Sequence, residues 1–99
     1  MEFLVELEVE VPHGTPASEV EQRTRSEASA AARLVDEGHL LRLWRRTAVA
    51  EDTSAIGLYA ADSEAQLDGL LRALPLADWM QVRIIPLAPH PNDPALVDR

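Results

Sequence analysis

Two residues of the sequence sit where their chemistry conflicts with their surroundings. Glu27 falls in a segment where steps of four and three link Val20, Thr24, Glu27, Ala31 and Leu34 into one helical stripe suited to packing on a sheet. It is either a glutamate at the stripe's margin, turned to water or paired with an arginine, or a partly desolvated carboxylate with a raised pKa, able to take and return a proton. Arg45 shows the same conflict in a strand pattern. Alternation puts Leu41, Leu43 and Arg45 on one face and Leu40, Arg42, Trp44 and Arg46 on the other, so whichever face is buried takes an arginine with it. A buried guanidinium requires an anion: an acid of this chain such as Glu27, or a substrate carboxylate held by its two-pronged donor set.

The rest of the chemical inventory is short. Trp44, Tyr59 and Trp79 are three of only four aromatic residues, and aromatics at strand positions more often pack than bind ligands. His13 follows the first strand in a loop and is either a solvated histidine or an acid or base. His39 stands at a helix C-terminus, where capping suffices to explain it, and His90 lies in a proline-rich tail. With no cysteine and no lysine, thiolate and Schiff-base chemistry are excluded, and arginine is the only permanent cation for an anionic substrate. There is no phosphate loop, zinc-binding His-Glu pattern, dinucleotide fingerprint or serine-triad spacing. Carboxylates and arginines suit proton transfer on a small anion and do not suit redox or phosphoryl transfer; no metal is expected.

These groups need a scaffold. From Glu2 onward, Phe3, Val5, Leu7, Val9 and Val11 alternate with Glu2, Leu4, Glu6, Glu8 and Glu10, which predicts a half-buried strand over 2–11. Thr15 is placed to cap a helix, with Pro16 at its first position, and Gly38 to stop it. Strands are predicted over 39–47 and 54–61, paired as a hairpin. Ser63 and Gln66 form a capping box ahead of Leu67, Leu70, Leu71 and Leu74, with Pro75 ending that helix, and residues 80–85 resume an extended pattern. Prolines 86, 89, 91 and 94 then make a stiff tail.

The order is βαββαβ: an α+β fold with an antiparallel sheet and both helices on one side. The other sheet face, holding the glutamates of the first strand and residues such as Trp44 or Tyr59, invites a partner subunit. Ninety-nine residues, 46% of them hydrophobic, support one core, expected as one domain over 1–88 with a tail over 89–99 that packs on a neighbouring subunit. A net charge of −8 argues against nucleic acid or anionic membranes as partners. Without a signal-peptide pattern or a run of about 20 apolar residues, a cytoplasmic location is expected.

The segments EGHLLRLWR (37–45), ALPLADWM (73–80) and PLAPHPNDP (86–94) resemble the muconolactone isomerase family, in order and nearly end to end. The resemblance implies a ferredoxin-like subunit of the dimeric α+β barrel type, assembled sheet to sheet as a homodimer or up to a homodecamer. It implies a cofactor-free isomerase of aromatic catabolism, acting on a small anionic lactone in a pocket completed by a neighbour's C-terminal segment. Glu27 and Arg45 are then the expected catalytic pair, and Trp44, His13 and Tyr59 the expected substrate-binding residues. Two departures stand out: Glu6 occupies a position where the resemblance implies lysine, and AVAEDT (48–53) replaces a His-, Asn- and Tyr-containing loop. The same scaffold also accommodates a non-catalytic ligand-binding oligomer or a cofactor-free monooxygenase.

Overall fold

Alternation at the start of the chain produces strand β1, Glu2–Val9, with Phe3, Val5 and Leu7 all buried. The computed structural model describes residues 1–46 and 54–96, so the 48–53 loop lies outside the described residues. β1 ends two residues short of the alternation: the Glu10 amide still donates in register to Trp79 O at 2.7 Å, but the Trp79 amide turns back to Leu76 O at 2.9 Å, so the ladder stops there. Helix α1, Ala17–Asp36, follows. Its N-cap is Pro16 rather than Thr15, whose hydroxyl instead donates back to Pro12 O at 2.6 Å. Gly38, at φ +79°, turns the chain out of the helix as expected. The cap bond of His39 comes from its backbone amide, to Leu34 O at 2.8 Å, while its ring Nδ1 lies 2.8 Å from Ala60 O.

Strands β2, Leu40–Arg45, and β3, Ala55–Ala60, pair antiparallel as the hairpin pattern requires. Helix α2, Glu64–Arg72, starts at Ser63, whose Oγ accepts from the Gln66 amide at 3.1 Å. The Gln66 side chain reaches back one residue further than in a standard capping box, accepting from the Asp62 amide at 2.6 Å. A short 3₁₀ turn, Ala77–Trp79, leads into β4, Met80–Leu87. β4 runs through Pro86, beyond the expected end, because it is an edge strand paired only with β1, where a missing amide costs no central ladder bond.

The sheet order is β2-β3-β1-β4, all antiparallel, which with the βαββαβ order is the ferredoxin-like arrangement. Leu34 from α1 and Leu67, Leu71 and Leu74 from the second helical region close over Phe3, Val5, Leu7, Leu40 and Tyr59. Two strand assignments change. A bulge between Leu40 and Arg42 breaks the alternation of β2, so Leu40 joins the core while Leu43 and Arg45 stay in phase with it. Tyr59, opposite Phe3, is 3% exposed and lies on the helix side of the sheet, not on the uncovered face.

The uncovered face carries Glu2, Leu4, Glu6 and Glu8 of β1, Ile56 and Leu58 of β3, Trp44 of β2 and Arg83 and Ile85 of β4. Arg46 and Glu8 pair across it at 3.0 Å. Beyond β4 the tail folds only into local turns, with Asp93 N donating to His90 O and Leu96 N to Asp93 O, each at 2.9 Å. The radius of gyration is 15.3 Å, against the roughly 13 Å of a compact domain this long, and the tail side chains are mostly exposed.

Candidate active site

Helix α1 turns Arg23, Glu27, Ala30, Ala31 and Leu34 toward the rest of the fold. Thr24 is not among them; it is exposed, its hydroxyl bonded to Val20 O at 2.8 Å. Glu27 is half-buried, and its Oε1 accepts a hydrogen bond from the Leu76 amide at 3.0 Å. Loss of water around the carboxylate raises its pKa above the usual 4.5, and the Leu76 hydrogen bond, which favours the anion, opposes that rise without cancelling it. The anchor is therefore a backbone amide rather than an arginine. A carboxylate held in this way is oriented but not neutralised, which leaves it basic.

Tyr59 is the group that faces it from the sheet. Burial, and then the negative charge of Glu27, push the phenol up to about 12, so it remains a protonated hydrogen-bond donor through the neutral range. Its ring lies along the strand over Gly57. A Cβ at position 57 would sit 2.5 Å from Tyr59 Cε1 and 3.3 Å from Leu43 Cδ1, so the glycine is what makes room for the ring. This is a close-approach glycine, and its backbone is not left-handed.

The segment after α2 completes this side of the site. Arg23 Nη1 donates to Pro75 O at 3.2 Å, and its guanidinium lies 4.4 Å from the centroid of the buried Trp79 ring. The same side chain reaches Glu19 at 3.5 Å and Asp78 at 3.8 Å.

The other candidates are distributed unequally. Arg45 is exposed, because past Leu40 neither face of the edge strand β2 is covered, so the expected buried arginine is not found. It lies on the same face of the sheet as Tyr59, opposite Ala55, four β3 positions away and so roughly 13 Å along the strand. Trp44 is on the opposite face, 40% exposed, with the Arg42 guanidinium 4.9 Å from its ring centroid. His13 is exposed in the turn before α1. The structure thus leaves Tyr59 within electrostatic reach of Glu27, sets Arg45 on the same side of the sheet, and separates Trp44 from them by the sheet itself. A cleft on the uncovered face, lined by Glu6, Glu8, Gln81, Val82 and Arg83, is cut off from Glu27 in the same way, and two carboxylates there repel an anion.

Three contributors have no motif in the sequence: Arg23, the Leu76 amide and Gly57. Arg23 carried one available signal, its i, i+4 spacing from Glu27 on the same helix. Among the described residues no three His, Asp or Glu side chains form a metal-holding group, and no helix is long and apolar enough to cross a membrane.

The family model for muconolactone delta-isomerase matches residues 1–93. A muconolactone delta-isomerase of Cupriavidus pinatubonensis (strain JMP 134 / LMG 1197) is 32% identical over 92 residues, covering 93% of this chain and 97% of that protein. Muconolactone delta-isomerase 1 of Acinetobacter lwoffii is 26% identical over 92 residues, covering 93% of each. A crystal structure of muconolactone isomerase matches with a TM-score of 0.84 at 28% identity, covering 100% of both chains. A 5-chloro-2-hydroxyhydroquinone dehydrochlorinase of Burkholderia phenoliruptrix AC1100 has a TM-score of 0.60 at 14% identity, covering 89% of this chain and 94% of that one, a likeness of fold alone.

Proposed function

Because the chain belongs to the muconolactone delta-isomerase family, we propose that it isomerises muconolactone, or a similar butenolide carboxylic acid, with Glu27 as the group that moves the proton. The observation that carries this reading is the partly desolvated Glu27 carboxylate, anchored by a backbone amide and facing a protonated phenol.

The chemistry balances with these groups alone. Ionised Glu27 removes the proton from the ring carbon bearing the carboxymethyl arm, and the C–H electron pair spreads through the unsaturated lactone as a dienolate. The protonated carboxyl then returns the proton two carbons along, next to the lactone carbonyl, so one C–H bond breaks, one forms and the double bond moves. Charge develops on the lactone oxygen, where the Tyr59 hydroxyl is suited to donate a hydrogen bond. Arg45 is assigned the substrate carboxylate; a small lactone acid covers only about half of the backbone separation, and the rest falls to the length of the arginine side chain and to the Tyr59 ring, which lies over Gly57 toward it. A raised pKa suits both halves of the cycle, since the acid form must be accessible once the proton has been taken.

Assembly is part of the same proposal. The uncovered face mixes apolar side chains with paired charges, and we assign it, with Trp44, to contact with a second copy of the chain. The domain proper spans 1–88 and the tail, 89–99, packs on a neighbour rather than on its own core, a reading supported by its local turns and the elongated shape. The direct test is an ultraviolet assay of purified protein with muconolactone. Enol-lactone formation is expected; no turnover of muconolactone or related butenolide acids contradicts the proposal.

A further inference from the structure

We infer that Arg23 is a positioning residue that holds the peptide unit between Pro75 and Leu76 so that its amide meets the Glu27 carboxylate. The inference rests on Glu27 being the proton-moving group, as proposed above.

Pro75 O and Leu76 N belong to one rigid, planar and trans amide. Its oxygen accepts from Arg23 Nη1 at 3.2 Å and its N–H donates to Glu27 Oε1 at 3.0 Å. Arg23 and Glu27 are one helical turn apart on α1, so a single helix grips both ends of a single amide. Fixing the oxygen fixes the direction of the N–H, and a cation on the oxygen also polarises the N–H as a donor.

Arg23 is itself held in place. Its guanidinium is stacked on the buried Trp79 ring, and Glu19 and Asp78 flank it. With 30% of the side chain exposed, those two ion pairs are screened and contribute little; the forked donor and the stacked plane define the geometry. Glu27 itself is acted on by burial and by the Leu76 amide, and its charge reaches Tyr59 on β3; Arg23 acts through the shared peptide unit, with Glu19 and Asp78 bearing on Arg23.

The hydrogen bond from Leu76 favours the ionised carboxylate, so its loss moves Glu27 further up. The test follows the Glu27 carboxyl carbon and the Leu76 amide by NMR across pH in the full chain, for wild type, Arg23→Met and Arg23→Lys. In wild type the Leu76 amide is expected to follow the titration of Glu27. In Arg23→Met that following is lost, Glu27 titrates at higher pH, and the acid limb of turnover moves with it. Arg23→Lys keeps the charge without the fork or the stacked plane, and it is expected to weaken the coupling in the same direction.

If either variant leaves the Leu76 amide following Glu27 as in wild type, the inference is overturned. That includes the case where Glu27 shifts but the coupling persists, which shows a purely electrostatic effect. Failure of the wild type to turn over muconolactone contradicts the catalytic reading instead, and the NMR coupling is decided without it.

Discussion

Arg23 and Glu27 bind opposite ends of the same peptide unit, the guanidinium on Pro75 O at 3.2 Å and the carboxylate on Leu76 N at 3.0 Å. The contact joins α1 to the segment that follows α2, and it gives Glu27 a fixed direction without an opposing charge.

Folded Glu27 has a pKa above the usual 4.5, so between those two values the folded state holds more protons than the unfolded chain. Stability therefore falls as pH rises through that window, and the ionised carboxylate is a net cost at neutral pH. Glu27→Gln, which is neutral and can still accept from Leu76, is expected to melt above wild type at pH 7, with the gap closing as pH falls toward 4.5. Thermal melts across pH check this. A gap that widens on acidification would contradict it.

Turnover has the opposite dependence. The base must be ionised to start the reaction, so activity is expected to fall as pH falls through the raised value of Glu27. A pH-rate profile whose acid limb lies at or below the ordinary glutamate value of 4.5 would separate the carboxylate from the rate.

Gly57→Ala places a methyl group 2.5 Å from the Tyr59 ring in a buried site. The ring or the strand must shift, at a cost of about 1–3 kcal/mol in urea unfolding. Tyr59→Phe keeps the ring and removes only the donor, so it is expected to fold as wild type while losing about 10²-fold or more in turnover, the magnitude of one oxyanion donor. Full activity in Tyr59→Phe rules the phenol out of the reaction.

Arg45 is tested by substrate as well as by mutation. Arg45→Met is expected to raise KM for the free acid by about tenfold or more, as for loss of a hydrogen bond to a charged group. The methyl ester of the same lactone, which has no carboxylate to hold, should be processed alike by wild type and variant. An equal loss on both substrates would mean that Arg45 acts on the fold or on the dienolate instead.

Much of the fold was legible because its signals are local. The alternation of β1, the Ser63 cap, the Gly38 stop and the leucine stripe of α2 each report the immediate backbone, and each was realised. The misplaced elements depend on partners distant in sequence. The bulge at Leu40, the continuation of β4 through Pro86 and the burial of Tyr59 are set by cross-strand register, which a single strand does not encode. The site divides in the same way. Glu27 stood out as an acid in an apolar stripe, but a backbone amide 49 positions away and a glycine whose role is to be small have no sequence signature. The inward direction of Arg23 has no such signature either, because periodicity alone does not decide which of the adjacent Arg23 and Thr24 faces the sheet; the structure turns Arg23 inward and Thr24 to solvent.

The central claim is that Glu27 carries the proton, and the most direct measurement is the turnover of muconolactone by Glu27→Gln beside wild type, with circular dichroism confirming an unchanged fold. A loss of about 10²-fold or more in kcat is predicted, as for removal of a general base. Turnover within a few-fold of wild type, in a protein that folds normally, would contradict the assignment.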